Sequence, residues 1–322
     1  MEKNNVEIHT FSDLMGREYP PMEWLVENLV PTASVIAISG YPASYKTWFV
    51  LDLALKVVKG EPLFGKFPTG QTGVMLIDEE NGERSLQRRF KILKAERATL
   101  PLFWTSLNEF KLSEKTVDHL IKSAKERGVG LVIFDSLVRI HSNDENSARE
   151  MAQVSSLLKR FTKDGISVIF THHHRKAGQG QVNHSHDMRG SSDLLASVES
   201  HIALQRKANE RIVNVIQTKL RDSEETKPFQ LELLSDGQYR YFSFCGYSEN
   251  KRDSVKEEVL KVLDGSVDLY AKDILKRLKE RGIKLGNSTL RTALSEMVVE
   301  GDLHTEPGTG SGTLYSLPKV SV

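Results

Sequence analysis

Three stretches of the sequence carry residue types at spacings that could handle a phosphorylated ligand. The first is "GYPASYKTW", residues 40 to 48. A phosphate-binding loop reads glycine, four residues, glycine, lysine, then serine or threonine. Gly40, Lys46 and Thr47 fit that form, and Tyr45 stands where the second glycine belongs. In such a loop Gly40, Tyr41, Pro42, Ala43, Ser44, Tyr45, Lys46, Thr47 and Trp48 would wrap a nucleotide. Lys46 would reach its β- and γ-phosphates, and the Thr47 hydroxyl would sit on Mg²⁺. Glycine before the lysine normally permits an unusual backbone angle, so Tyr45 must adopt that angle or reshape the loop. The second stretch, "GLVIFD", puts Asp135 at the end of an apolar run, the place of a carboxylate that reaches Mg²⁺ through water. The third, "GVMLIDEEN", ends in Asp78, Glu79 and Glu80, any of which could orient and deprotonate an attacking water.

These residues are useful only if strands and helices hold them at one edge. A phosphate loop must leave a buried strand and open a helix, so that backbone N–H groups and the helix dipole face the anion. "SVIAISG" before the loop reads as that strand, and "TWFVLDLALKVVKG" after it as a helix closed by Gly60. The alternation continues with strands at "GVMLID", "GLVIFD" and "ISVIFT". Helices are expected from about Arg84 to Arg97, over "SEKTVDHLIKSAKERG", and from "NSARE" to "TKDG". This pattern predicts an α/β fold, a doubly wound, mostly parallel sheet with helices on both faces. After residue 200, "SHIALQR", "RIVNVIQTK", "PFQLELL" and "QYRYFSF" read as antiparallel strands extending the same sheet.

Length and composition fit this plan. The chain has 322 residues, 39% hydrophobic and 27% charged, which suggests about two domains of a globular, cytoplasmic protein. No apolar run approaches the length of a membrane span. Cys245 alone allows neither an internal disulfide nor a cysteine-based zinc site. The net charge of +1 means that nucleic-acid binding would depend on local patches.

The order "GYPASYKT", "MLIDEEN", "LVIFDS", "VIFTHHHRK", "RGSSD" resembles the RecA-fold ATPases, and among them the hexameric replicative-helicase branch typified by RepA and DnaB. The resemblance spans roughly residues 20 to 245. It implies Glu80 as the catalytic base, with ATP and Mg²⁺ as ligands and Thr47 and Asp135 on the metal. "THHHRK" would be a strand-end sensor, with His172 or His173 reporting on the γ-phosphate or DNA. In that branch a Lys-x-Arg pair like Lys219 and Arg221 reaches the neighbouring subunit's nucleotide, which implies a homo-oligomer, as a hexameric ring. Five of the ten histidines fall between residues 172 and 190. A metal site from His172, His174, His184 and His186 matches no standard zinc spacing. The preferred reading is a loop in the position of the family's single-strand-binding loop, with Arg175, Lys176 and Arg189 on phosphates.

The expected organisation is a lead-in over 1–30, the RecA-like ATPase domain over 31–246, a linker over 247–253 and a small domain over 254–319. Three helix-length segments and a hairpin around "GTGSG" make that last domain a winged helix. Lys284, Asn287, Thr289 and Arg291 are its candidate DNA contacts, near the start of "NSTLRTALSEMVVEG". Eleven basic and eleven acidic side chains after residue 251 leave it neutral, so a protein-contact role stays open. The functional expectation is an ATP-hydrolysing DNA motor or replication initiator that binds single-stranded DNA through its core and duplex DNA or a partner through the winged helix. The alternatives are an ATP-switched DNA-binding regulator with negligible turnover, and a recombinase-like filament protein.

Overall fold

The computed structural model describes residues 8–19, 21–95, 99–174, 192–248, 251–264, 268–283, 285–308 and 312–318. The chain separates into two compact units, Met1–Gly246 and Tyr247–Val322. The first opens with α1 (Phe11–Met15), β1 (Trp24–Val26) and β2 (Val30–Pro31), so the stretch expected to be irregular contains a short helix and a small hairpin. Then follow β3 (Val35–Gly40), α2 (Lys46–Lys59), β4 (Gly73–Asp78), α3 (Glu83–Ile92), β5 (Leu102–Ser106), α4 (Glu114–Glu126) and β6 (Val129–Asp135). The unit continues through α5 (Leu137–Ile140), α6 (Ala148–Lys163), β7 (Ser167–His173), α7 (Ser192–Ser197), β8 (Ser200–Gln205), β9 (Ile212–Leu220), β10 (Phe229–Asp236) and β11 (Tyr239–Tyr247).

Nine strands form one sheet in the order β11-β10-β9-β8-β3-β7-β6-β4-β5. From β8 to β5 every neighbouring pair is parallel, and β9 and β10 continue it antiparallel. The fold is therefore α/β with a mostly parallel sheet and antiparallel late strands. Alternation along each strand builds two apolar layers. Ile36 and Ile38 of β3 and Ile133 of β6 pack on the side of α2. Val35, Ala37, Phe134 and Phe170 pack on the side of α4 and α6. Phe49 of α2 is 1% exposed, and truncating such a side chain costs ~3–5 kcal/mol. Helix α3 ends at Ile92, short of the expected Arg97, because Lys94 turns to a φ of 58°. Strand β5 was not foreseen; its residues are only partly buried at the sheet edge, so its hydrophobic pattern is weak.

The second unit contains α8 (Lys251–Leu263), β12 (Leu269–Tyr270), α9 (Ala271–Glu280), α10 (Asn287–Glu300), β13 (His304–Pro307) and β14 (Thr313–Ser316). Its strands pair in the order β12-β14-β13. Val259, Ile274, Leu278, Leu290, Leu294 and Met297 form a core of its own. Helix α8 starts at Lys251, inside the span expected to be linker. No helix among the described residues is long and apolar enough to cross a membrane.

Candidate nucleotide site

Three parallel strands and one helix end at the same edge of the sheet, and their terminal residues surround a cavity of about 320 Å³. Its walls are Ala43, Ser44, Tyr45, Lys46, Thr47 and Trp48 from the loop and the start of α2, with Glu80, Arg89, Asp135 and His173 opposite. Gly40 ends β3 just before the loop. A Cβ there would lie 2.5 Å from Ser44 Oγ and 2.6 Å from the Leu204 carbonyl, so only glycine lets the loop turn back over β8.

Tyr45 answers the irregularity in the motif. It takes the left-handed angle that glycine would supply, φ 68° and ψ 22°, at the N-cap of α2. For a non-glycine residue this costs ~1–2 kcal/mol. The ring offsets that cost through packing: Phe242 lies 6.5 Å away edge-on, and the Arg206 guanidinium sits 4.2 Å above it. The same guanidinium donates to the Ala43 carbonyl at 2.9 Å, which ties the loop to the residues after β8.

Lys46 is 7% exposed and donates to the carbonyls of Gly40 (2.9 Å) and Tyr41 (3.0 Å). Burial pulls its pKa down to about 8. Thr47 Oγ1 donates to Asp135 Oδ2 at 2.8 Å, and Thr171 donates to the other oxygen of the same carboxylate. Asp135 is buried, and burial raises its pKa. Asp78, also buried, accepts the backbone N–H groups of Glu80 (2.9 Å) and Asn81 (2.7 Å), so it shapes the turn that carries Glu80. Burial lifts Asp78 to about 6.

Glu80 faces into the cavity, with Ser136 donating to Oε1 at 2.5 Å and His173 Nε2 at 3.4 Å from the same oxygen. His173 first, and then Ser136, hold the Glu80 carboxyl down at about 2. Glu79 turns outward and accepts the Asn108 N–H at 3.1 Å, away from the cavity lining. His172, expected on the nucleotide, does not line the cavity. Alternation along β7 sends Thr171 and His173 to the α2 side and His172 to the other, where it lies 3.8 Å from Glu145.

Three polar atoms of residues lining this cavity are buried without a hydrogen-bond partner among the described residues: Ser44 Oγ, Arg89 Nη1 and His173 Nδ1. The Ser44 and Arg89 atoms are donors, and buried donors are rarely left unmet. They fit the oxygens of a phosphate chain. Thr47 and Asp135 offer a hydroxyl and a carboxylate, the oxygen donors that suit Mg²⁺. Arg89 was missed by the motif reading, because one of three arginines in a charged helix gives no spacing signal.

Lys219 and Arg221 do not line their own chain's cavity. Lys219 Nζ donates to the carbonyls of Leu195 (2.9 Å) and Ala196 (2.8 Å), and Arg221 to that of Ala196 at 3.2 Å. Asn287, Thr289 and Arg291 are exposed at the start of α10. Arg175, Lys176, Arg189 and Lys284 lie outside the described residues, as do His184 and His186.

A family model described as the AAA domain matches residues 3–179, more than half of the chain, including the phosphate loop, Glu80, Asp135 and His173. The chain belongs to the AAA domain family. With its loop, strand-end carboxylates and sheet order, this AAA domain protein is a P-loop ATPase of RecA-like fold. Among solved structures it is similar to that of a DnaB-like replicative helicase studied with its interactions with primase. The two share 15% identity and a TM-score of 0.50, over 65% of this chain and 58% of that one. The likeness is one of fold, and it spans little more than half of the helicase chain.

Proposed function

We propose that this AAA domain protein is an oligomeric, ATP-hydrolysing DNA motor or replication initiator, acting in the cytoplasm. The observation that carries this is the cavity itself, where Lys46, Thr47, Asp135 and Glu80 meet beside unpartnered donors on Ser44 and Arg89. Lys46 leaves the Gly40 and Tyr41 carbonyls to contact the β- and γ-phosphates, while Ser44 and Arg89 donate to phosphate oxygens. Thr47 and Asp135 hold Mg²⁺, which when bound neutralises charge on the phosphate oxygens. Glu80 orients the attacking water. His173 and Ser136 depress its carboxyl in the free protein, and phosphates bound nearby would raise its basicity so that it also takes the proton from that water. His173, bridged to Glu80, reports whether the terminal phosphate is present.

Lys219 and Arg221 supply the finger of a neighbouring subunit, as in a hexameric ring, their planar and point charges meeting the developing negative charge. The position of both outside their own cavity supports an action in trans. The second unit reads as a winged helix, with Asn287, Thr289 and Arg291 presented for duplex DNA or a partner. Lys284 would assist them, and Arg175, Lys176 and Arg189 would hold single-stranded DNA.

An ATPase assay of the full chain with and without single-stranded DNA tests this reading. Turnover stimulated by the strand supports a motor. Tyr45 in place of the loop's second glycine favours a second reading, an ATP-switched DNA-binding regulator. Nucleotide-dependent DNA binding without turnover would establish it.

A further inference from the structure

Beneath the phosphate loop, a chain of polar side chains, buried except for half-buried Thr218, crosses the sheet from the end of β7 to β9. Ser39, the residue before Gly40, has its Oγ 2.7 Å from His174 Nε2 and 2.6 Å from His201 Nε2. The other ring nitrogen of His201 lies 2.5 Å from Thr218 Oγ1. Ser39 and His201 are both fully buried, and burial drives His201 down to about 3, so the ring is neutral at any working pH. A neutral imidazole has one donor and one acceptor, and each hydroxyl has one proton. The chain can therefore be satisfied in only two directions. Either Thr218 donates to His201, which donates to Ser39, which donates to His174, or all three bonds reverse together.

Thr218 is also the extra residue of a β-bulge. In the β8–β9 pairing His201 faces Lys219 and Ile202 faces Gln217, which leaves Thr218 without an opposite residue. Before the bulge, Val213, Val215 and Gln217 alternate onto one face, where Gln217 donates to Ser200 at 3.0 Å. The inserted residue reverses the phase. Lys219 and Arg221 then emerge on the opposite face, against the carbonyls of α7. In a regular strand Lys219 would have followed Gln217 to the α2 side.

We infer that Ser39, His201 and Thr218 are positioning residues: they lock the bulge that aims Lys219 and Arg221 and tie it to the strand that carries the phosphate loop. This deepens the proposed function and rests on the finger reading of those two cations. The relay joins the end of β3, where nucleotide is bound, to the end of β9, where the next subunit's nucleotide would be met. A change at one site can thus reach the other through two hydrogen bonds, Ser39 to His201 and His201 to Thr218.

The test uses Thr218→Val, which keeps the shape and removes the hydroxyl, and Thr218→Ser, which restores it. In the full-length protein Thr218→Val should lower kcat at least ~10-fold while the Kd for ATP changes less than ~2-fold, the pattern of an interaction made only in the transition state. Thr218→Ser should stay within ~3-fold of the parent. Added to Arg221→Ala, Thr218→Val should cost under ~2-fold more, because the relay acts through that arginine. Full activity of Thr218→Val, or a loss that multiplies fully with that of Arg221→Ala, overturns the relay. A fully active Arg221→Ala overturns the finger reading itself, and that outcome is visible separately from the behaviour of Thr218. A variant that only loosened the fold would lower the melting temperature and raise the Kd for ATP along with the loss of kcat, which also counts against the relay.

Discussion

The two polar regions of this chain are built on opposite terms. Around the phosphate loop, Lys46, Asp78 and Asp135 are buried, and each is met by named partners within about 3 Å. At the start of α10, Asn287, Thr289 and Arg291 stand in solvent. Burying polar groups is costly unless they are satisfied, so the first arrangement survives only where it is used or tightly compensated. The second costs almost nothing to keep. The lesson is that removing a side chain should disturb both chemistry and stability in the first region, and binding alone in the second.

The largest effects are expected at Lys46 and Glu80. Lys46→Ala should abolish hydrolysis and weaken nucleotide binding, measured by ATPase assay and calorimetry. Glu80→Gln should bind ATP with normal affinity and turn it over at least ~100-fold more slowly. Glu79→Gln should change turnover by less than ~3-fold, since that side chain faces Asn108. A larger loss at Glu79 than at Glu80 would break the account of this loop.

Next comes the sharing of the site. Arg221→Ala should bind ATP normally and turn it over at least ~100-fold more slowly, with a small measurable residual rate. Mixing it with Lys46→Ala under conditions of subunit exchange should restore part of the activity, because one interface then holds an intact loop and an intact finger. Full activity of Arg221→Ala at high protein concentration would refute the finger.

The ammonium of Lys46 gives a pH signature. Its pKa in the free protein, about 8, should rise when phosphate oxygens surround it. Binding therefore takes up a proton above pH 8, and the Kd for ATP should rise by up to ~10-fold per pH unit there. Lys46→Ala should lack that slope. For stability without ligand the sign is opposite: a depressed lysine pKa favours the neutral form, so folding stability gains as pH climbs through the window above 8.

Tyr45→Gly sharpens the comparison at smaller scale. It relieves a left-handed angle worth ~1–2 kcal/mol and removes a ring packed on Phe242 and Arg206, typically worth ~3–5 kcal/mol. A net loss of ~1–4 kcal/mol in chemical denaturation is expected, with ATPase activity within a few-fold. The smallest effect on stability is at α10. Arg291→Ala should leave unfolding within ~0.5 kcal/mol and weaken duplex binding if the winged-helix reading holds. Unchanged duplex affinity would assign the second unit to protein contacts.

Much of the catalytic edge was legible because loop, strand and helix are contiguous in sequence. "SVIAISG" and "KTWFVLDLAL" announce a buried strand and a buried helix, and Gly40, Lys46 and Thr47 fall between them. What was illegible depends on distance or on face. Arg89 enters the cavity through a helix whose charges look uniformly solvated. The choice between His172 and His173 follows from which face of β7 meets α2, and the residues alone do not state that. Ser39 and His201 are 162 positions apart, and only the β3–β8 pairing brings them together. The bulge at Thr218 leaves no pattern in "RIVNVIQTKL", since it appears only against its partner strand.

The central claim is that a phosphate loop with tyrosine before its lysine still serves hydrolysis. The most direct measurement is steady-state release of inorganic phosphate by the full-length protein, alone and with single-stranded DNA, against Glu80→Gln prepared identically. The account predicts turnover in the parent that rises with DNA and falls at least ~100-fold in the variant. Equal phosphate release by the two proteins, or none by the parent while ATP is bound, would contradict it.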